Sequence, residues 1–453
     1  MNGPTGDPKT AVISTGIGRL HLFESAIALR GAGYPIEIVT GLRPGGGGRW
    51  LRWAGRALPL GRAIRRFAAR WPPELESVPV HSCGMAETFA RVLAAIGRSG
   101  AGSASFCNAL GYAAMGRASR RFLRGQGIFH VRSGAGRGGA IARARRLGMK
   151  VVVDQSIAHP AAMRRELEAE YAAFGLPCEF RPDDRFWGGC VLRDCLDADL
   201  LLVNSEYVRD TFLEEGYPAD RLHVAYLGVR EWFFGMKARY DRGTVLKLLF
   251  TGIFDLRKGA RVLLEAIGIL RREGYPFHLD VVGPMGTGAR ALAACADRSG
   301  ICFHPFLPQA EMARFMADAD VYVFPTLAEG SARSAMEAMA AGVPVITTRQ
   351  AGIPADHEAS GWIVPSRNVD AVVEAIRRLG EDGALRERLG RNAARVVREQ
   401  FTWADYARAV MAGYAKVLAP GSHADREDGV MRPSAGSGGT RQSPRVWKGN
   451  ARP

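Results

Sequence analysis

What most constrains the fold of this chain is a unit that recurs along it: a short apolar run, a turn of glycine or small residues, then a helical stretch. The first example is Ala11-Val12-Ile13-Ser14-Thr15, followed by Gly16-Ile17-Gly18 and an apolar-periodic stretch from Leu20 to Leu29. That stretch stops at Gly31-Ala32-Gly33, and a second β-prone run follows in Ile36-Glu37-Ile38-Val39-Thr40. Together they make one βαβ unit, whose crossover is expected to be right-handed. Val151-Val152-Val153 and Leu200-Leu201-Leu202-Val203 are later strands of the same kind, each after a helical stretch. Such strands predict a parallel sheet covered by helices on both faces. A second set begins at Leu246-Lys247-Leu248-Leu249-Phe250. It continues through Leu279-Asp280-Val281-Val282, Ile301-Cys302-Phe303, Val321-Tyr322-Val323-Phe324 and Val343-Pro344-Val345-Ile346.

Two sets imply two α/β domains, each a doubly wound parallel sheet, and 453 residues exceed what one core usually organises. The first domain is expected over 1–235 and the second over 236–400, joined between Gly228 and Arg242, where β-alternation is lost. Residues 401–420 read as a helix expected to pack back on the first domain. Beyond Leu418 the sequence turns to Pro, Gly, Ser and Arg, and 421–453 are expected to be a disordered tail.

The formal net charge of +16 raises the question of an anionic partner. Its distribution favours a membrane surface over nucleic acid. Segment 42–73 has no acidic residue between Leu42 and Pro73, and its arginines are interleaved with Trp50, Trp53, Phe67 and Trp71. Read as a helix, Leu60, Ile64, Phe67, Ala68 and Trp71 share one face, as in a helix lying among lipid headgroups. The alternative is a solvated basic loop packed on its own domain. No apolar run approaches the roughly 18 residues a spanning helix needs. The N-terminus MNGPTGDPKT has neither the basic nor the apolar region of a secretory signal, and the seven cysteines include no zinc-like spacing. These features predict a cytoplasmic protein, peripheral on the inner face of the membrane if the basic segment engages lipid.

The segment from Phe324 to Pro344 carries the chemistry. A strand ends, a small-residue loop turns, and a helix opens, so backbone N–H groups and the positive helix end can meet a diphosphate at the strand's carboxyl end. Glu329 lies in the loop and Glu337 about a turn inside the helix, placed to hold sugar or ribose hydroxyls by charge-assisted hydrogen bonds. The competing reading makes Glu329 a helix cap and Glu337 a solvated surface residue.

On these residues the chain resembles the group-one retaining glycosyltransferases of the GT-B fold, built from two Rossmann-like domains facing a central cleft. The carrying motifs are Glu329-x7-Glu337 with Ala338-Met339-Ala340-Ala341-Gly342-Val343-Pro344-Val345-Ile346-Thr347-Thr348, then Thr251-Gly252-Ile253-Phe254-Asp255-Leu256-Arg257-Lys258-Gly259, and Ala198-Asp199-Leu200-Leu201-Leu202-Val203-Asn204-Ser205-Glu206-Tyr207-Val208. The resemblance implies that Lys258 neutralises the donor diphosphate, Glu337 binds ribose, and Glu329 contacts the donor sugar. Gly330, Ser331, Ala332, Arg333 and Ser334 would cradle phosphate and sugar, with Gly16 and Gly18 closing the crevice from the other domain. Ile253 stands where the family commonly has arginine, and Arg257 is the nearest substitute cation. Ala332 adds a methyl where the family has glycine. Many relatives carry a histidine at the end of a middle first-domain strand. Here that place holds Asp154 or Gln155, with His159 a turn later, so Asp154 and His159 are the candidates near the reacting sugar.

The implied reaction moves a sugar from a nucleotide-sugar donor to a saccharide or lipid-linked acceptor with retention, by front-face displacement, in envelope or exported polysaccharide or glycolipid synthesis. Charge on the leaving diphosphate would fall to Lys258, Arg257 and the helix amides. No metal or other cofactor is expected, because no D-x-D pair stands beside the phosphate site to hold a divalent ion. A GT-B epimerase or phosphorylase and a non-catalytic nucleotide-sugar-binding protein remain open alternatives. A dinucleotide oxidoreductase fits poorly, since His21 occupies the third position of the glycine fingerprint.

Overall fold

The computed structural model describes residues 10–18, 21–43, 72–100, 102–125, 127–173, 175, 177–241, 243–295 and 297–420. The helix expected within 42–73 falls almost wholly outside the described residues, as does the tail 421–453.

Two parallel sheets organise the described chain. The first carries β1 (Ala11–Ser14), β2 (Ile36–Thr40), β3 (Val80–Ser82), β4 (Ile128–Arg132), β5 (Lys150–Gln155), β6 (Leu200–Val203) and β7 (Leu222–Val224) in the order β3-β2-β1-β4-β5-β6-β7. Its helices are α1 (Leu22–Gly31), α2 (Gly84–Arg98), α3 (Ala104–Ser119), α4 (Ala140–Arg146), α5 (Pro160–Ala172), α6 (Arg193–Leu196) and α7 (Glu206–Glu214). The second sheet carries β8 (Leu246–Thr251), β9 (Phe277–Val282), β10 (Ile301–His304), β11 (Val321–Phe324), β12 (Val345–Thr348) and β13 (Trp362–Val364) in the order β10-β9-β8-β11-β12-β13. Around it lie α8 (Ala260–Arg272), α9 (Thr287–Cys295), α10 (Gln309–Asp318), α11 (Arg333–Ala341), α12 (Val369–Glu381) and α13 (Gly383–Gln400), before α14 (Trp403–Leu418) closes the described chain.

The central strands β1, β6, β11 and β12 are buried along their whole length, as strands covered on both faces must be. The strand order reverses between β1 and β4 in one sheet and between β8 and β11 in the other. Those are the switch points where doubly wound sheets open a crevice at their carboxyl ends. β4 was not among the expected strands, because His130 and Arg132 interrupt its apolar run.

The chain crosses between the domains twice, side by side. Val229 N–H donates to Phe401 O (2.9 Å), and a Cβ on Gly228 would lie 2.5 Å from the Trp403 nitrogen, so neither strand can shift without the other. After the return crossing, α14 packs on the first domain. Tyr406, Ala407, Val410, Tyr414 and Val417 join Leu22, Ala26, Leu29 and Ile13 in one buried cluster. Thr402 and Asp405 cap this helix reciprocally, fixing its start at the crossing.

Candidate functional site

β8 ends at Thr251, Gly252 adopts a left-handed backbone (φ 121°), and the chain enters a short turn at Leu256–Lys258. The Asp255 carboxylate accepts from Lys258 N–H (2.9 Å), which closes that turn. Gly259 then begins α8 with φ 80°, and a Cβ there would lie 2.0 Å from Pro325 O. Only glycine fits such a contact, and the contact seats the Lys258 loop against the loop after β11. Leu327 N–H donates to Arg257 O (2.8 Å), tying the two loops further.

The result is an ion-pair cluster at the switch point. Glu329 Oε1 lies 3.0 Å from Lys258 Nζ and 2.8 Å from Arg257 Nη1, and Arg257 also donates to Ala328 O (2.5 Å). Burial works to raise the Glu329 pKa, but Arg257 and then Lys258 outweigh it and hold the group below its usual value. Glu329 is therefore an anion here, paired with both cations, and the trio keeps one positive charge in excess.

Next to this cluster α11 begins with no side-chain cap from its N-cap residue Ala332. The Ser334 hydroxyl accepts from Tyr322 OH (2.9 Å) and donates to Thr251 O (3.2 Å), and Ser331 Oγ donates to Met336 Sδ (3.1 Å). These hydroxyls are committed to the floor of the site. The helix end can thus receive a ligand anion on its backbone amides. Glu337 lies about one turn inside, its Oε1 3.8 Å from Arg333 Nη2. Burial raises its pKa to about 7 against the pull of Arg333 and Arg230. Arg230, in the crossing segment, also pairs with Glu24 in the first turn of α1. Sequence reasoning missed Arg230, which no local pattern marks.

The loop holding Glu329 is fastened to the first domain. Ala158 N–H donates to Glu329 O (3.2 Å) and Ser205 Oγ to Gly330 O (2.5 Å), while a Cβ on Gly330 would lie 2.0 Å from Ser156 O. Arg261 of α8 binds the fully buried Glu170 of α5 through two 2.8 Å bonds. Facing contacts therefore pin the domains around the cluster.

On the first domain Gly16 (φ 64°) and Gly18 (φ 83°) form the turn after β1. Arg132, at the carboxyl end of the neighbouring β4, donates from Nη1 to Ile17 O (3.2 Å), so a cation stands at this switch point too. Arg132 was missed along with β4, although the glycine-rich run Gly134–Gly139 that follows was a usable signal.

The two candidates near the reacting sugar are placed differently from the others. Asp154 turns into the domain interior, where both carboxylate oxygens lie 3.0 Å from His21 Nε2 and Oδ2 lies 3.6 Å from His130 Nε2. Burial pushes its pKa up, but His21, with His130, overrides that and holds it well below the ordinary range. His130 in turn bonds Tyr414 OH of α14 (2.6 Å). Asp154 is thus engaged with His21 at the start of α1 and, through His130, with α14. His159 is the N-cap of α5, accepting from Ala161 N–H at Nδ1 (3.2 Å), with its ring edge-on to Phe212 and Tyr217. Burial lowers its pKa to about 4, and its packing places it outside the Lys258–Glu329 cluster. The exposed side chain of Ile253 makes no contribution of charge.

Residues 246–382 match the family model described as "Glycosyl transferases group 1". The chain is 30% identical over 197 residues to the amylovoran biosynthesis glycosyltransferase AmsK of Erwinia amylovora, which covers 41% of this chain and 48% of that protein. It is 28% identical over 275 residues to an MMP alpha-(1->4)-mannosyltransferase of Mycolicibacterium hassiacum, covering 58% and 65%. The chain spans about half the length of the first of these curated relatives. Among solved structures, a glycosyltransferase of Rickettsia africae superposes with a TM-score of 0.58 at 15% identity, over 92% of this chain and 100% of the other. HepE of Anabaena, solved in complex with UDP and glucose, gives 0.57 at 13%, over 89% and 98%. At such identities the likeness is one of fold. Residues 246–382 are thus similar to the group 1 glycosyl transferases, and the two facing parallel-sheet domains have the GT-B fold.

Proposed function

We propose that this protein transfers a sugar from a nucleotide-sugar donor to an acceptor hydroxyl with retention of anomeric configuration, in envelope or exported polysaccharide or glycolipid synthesis. The observation that carries the reading is the Lys258–Arg257–Glu329 cluster beside the uncapped start of α11, at a switch point facing the other domain. The donor diphosphate would seat on the α11 amides and draw Lys258 and Arg257 from Glu329, which is then released toward the sugar. Glu337 would accept from ribose hydroxyls. Relatives named for amylovoran and colanic acid biosynthesis support the polysaccharide setting, and UDP-bound fold neighbours support the donor class.

Two side-chain cations and a helix terminus supply the charge that the leaving group requires, so transfer is proposed to proceed without a divalent ion. The acceptor is proposed to be a lipid-linked saccharide, with the basic segment 42–73 drawn to the anionic inner face of the membrane. Among the described residues no helix is long and apolar enough to cross a bilayer.

The test is release of nucleoside diphosphate and product anomer analysis across a panel of nucleotide sugars, with and without EDTA. Lys258→Ala is expected to reduce kcat by about 10²–10³-fold while changing donor KM far less. Unchanged sugar transfer by that variant would remove Lys258 from its role.

A further inference from the structure

In an ordinary surface helix the large apolar side chains face the core, and α2 reverses this arrangement. Its buried positions are Glu87 and Ala90, while Met85, Phe89, Val92 and Ile96, at i, i+4, i+7 and i+11, are exposed along one face. Phe106 and Leu110 of the adjoining α3 are exposed as well. These six make up most of the ten exposed large hydrophobic side chains among the described residues. Small residues make the reversal possible. A Cβ on Gly97 would lie 2.9 Å from Ala104 Cα, and one on Gly111 2.9 Å from Ala90 Cβ, so the pair closes through backbone and methyl groups. The large side chains are then left pointing out.

Along α2 and α3 the charge is nearly all of one sign. From Gly84 to Arg124 the basic residues are Arg91, Arg98, Arg117, Arg120, Arg121 and Arg124, and the only acidic residue is Glu87. Glu87 is buried and occupied by Arg91 and by Leu42 N–H (2.6 Å). The Arg185 guanidinium lies 5.2 Å over the Phe106 ring, adding a further cation at the edge. Leu42, which precedes the Arg- and Trp-rich sequence in the chain, lies against Gly84 at the start of this helix. An apolar stripe with a mainly basic rim, in which Asp183 and Asp184 beside Arg185 are the acidic exceptions, matches an anionic lipid interface, which takes up apolar side chains and attracts each cation.

We propose that the α2–α3 face rests on an anionic bilayer and so presents the acceptor side of the cleft to lipid-borne substrate. The geometry suits this use. Gly111 lies against Ile17 of the glycine turn, and Tyr112 stacks beneath Arg132 (5.8 Å) at the carboxyl end of β4. Membrane contact and the first-domain side of the cleft are therefore adjoining faces of α3. The acceptor's identity rests on the function proposed above, whereas lipid contact does not.

The test is flotation of the full chain with phosphatidylglycerol–phosphatidylcholine vesicles and with phosphatidylcholine alone. Wild type is expected to float with the anionic vesicles. The Met85→Ser/Phe89→Ser/Val92→Ser variant is expected to partition on the order of 100-fold less, with an unchanged melting temperature because these side chains are exposed. At about 1 M salt, where screening shortens the reach of charge to roughly 3 Å, the difference between wild type and variant should persist. Equal partition of the two proteins, or no flotation of wild type, would overturn the proposal. So would a wild-type dimer in sedimentation velocity that the triple variant abolishes, since a second copy would then cover the face. Nucleoside diphosphate binding on the same samples separates failure of the donor assignment from failure of this one.

Discussion

Gly330→Ala tests how tightly the Glu329 loop is held between the domains. The added Cβ would lie 2.0 Å from Ser156 O and 2.7 Å from Asn204 Oδ1. Taking about 3.3 Å as the shortest ordinary C···O approach, the loop must withdraw by roughly 1.3 Å. It has nowhere to go on the other side, since Gly352 already presses on Gly330 O so closely that a Cβ at Gly352 would lie 1.9 Å away. Relief therefore falls on the two interdomain hydrogen bonds, Ser205 to Gly330 O and Ala158 to Glu329 O. Overpacking costs about 1–3 kcal/mol and each lost bond about 0.5–1.5 kcal/mol, for a total of about 2–6 kcal/mol. In a domain of this size that lowers Tm by on the order of 10 °C. Because Glu329 precedes Gly330, a displacement near 1 Å should also reduce kcat/KM by on the order of 100-fold. Differential scanning calorimetry and donor turnover measure the two effects. A variant that melts within a degree or so of wild type and keeps its turnover would show that the loop does not approach Ser156 as described.

The remaining predictions concern groups whose environment the fold sets. The Glu337 pKa is raised to about 7, so its carboxylate form grows as pH rises through that value, and nucleoside diphosphate affinity should increase between about pH 6 and 8. Calorimetric titration of Glu337→Gln should show a flat profile, and parallel profiles would exclude Glu337 from the binding step. The same raised pKa destabilises the ligand-free fold as pH climbs from the unfolded value of 4.5 to about 7, so Glu337→Gln should gain stability relative to wild type at pH 8 and not near pH 4. Tyr414→Phe removes the partner of the fully buried His130 Nδ1 and should cost about 1–3 kcal/mol in urea unfolding; an unchanged midpoint would show that this bond does not hold α14.

The sequence alone determined the two doubly wound domains, because a buried parallel strand must be apolar on both faces and the turn after it must be small, and both demands are local. It also marked the Glu329-x7-Glu337 loop by its small residues and, through the family resemblance, the Lys258 loop, while the structure alone shows the close contacts that glycine at 259 and 330 answers. β4 escaped because His130 and Arg132 break its apolar pattern, and both are tolerated only through partners far along the chain, Tyr414 and Ile17. Tertiary structure alone decided the partners of Asp154 and Glu329, although both are carboxylates near a strand's carboxyl end. One is surrounded by His21 and His130, the other by Lys258 and Arg257. Arg230 meets Glu24 and approaches Glu337 only once the chain has crossed between the domains. The outward stripe of α2 likewise exists only because α3 covers its opposite, small-residue face. Periodicity announces that a helix has an apolar side, but the choice of which side meets water is made by what packs against the other.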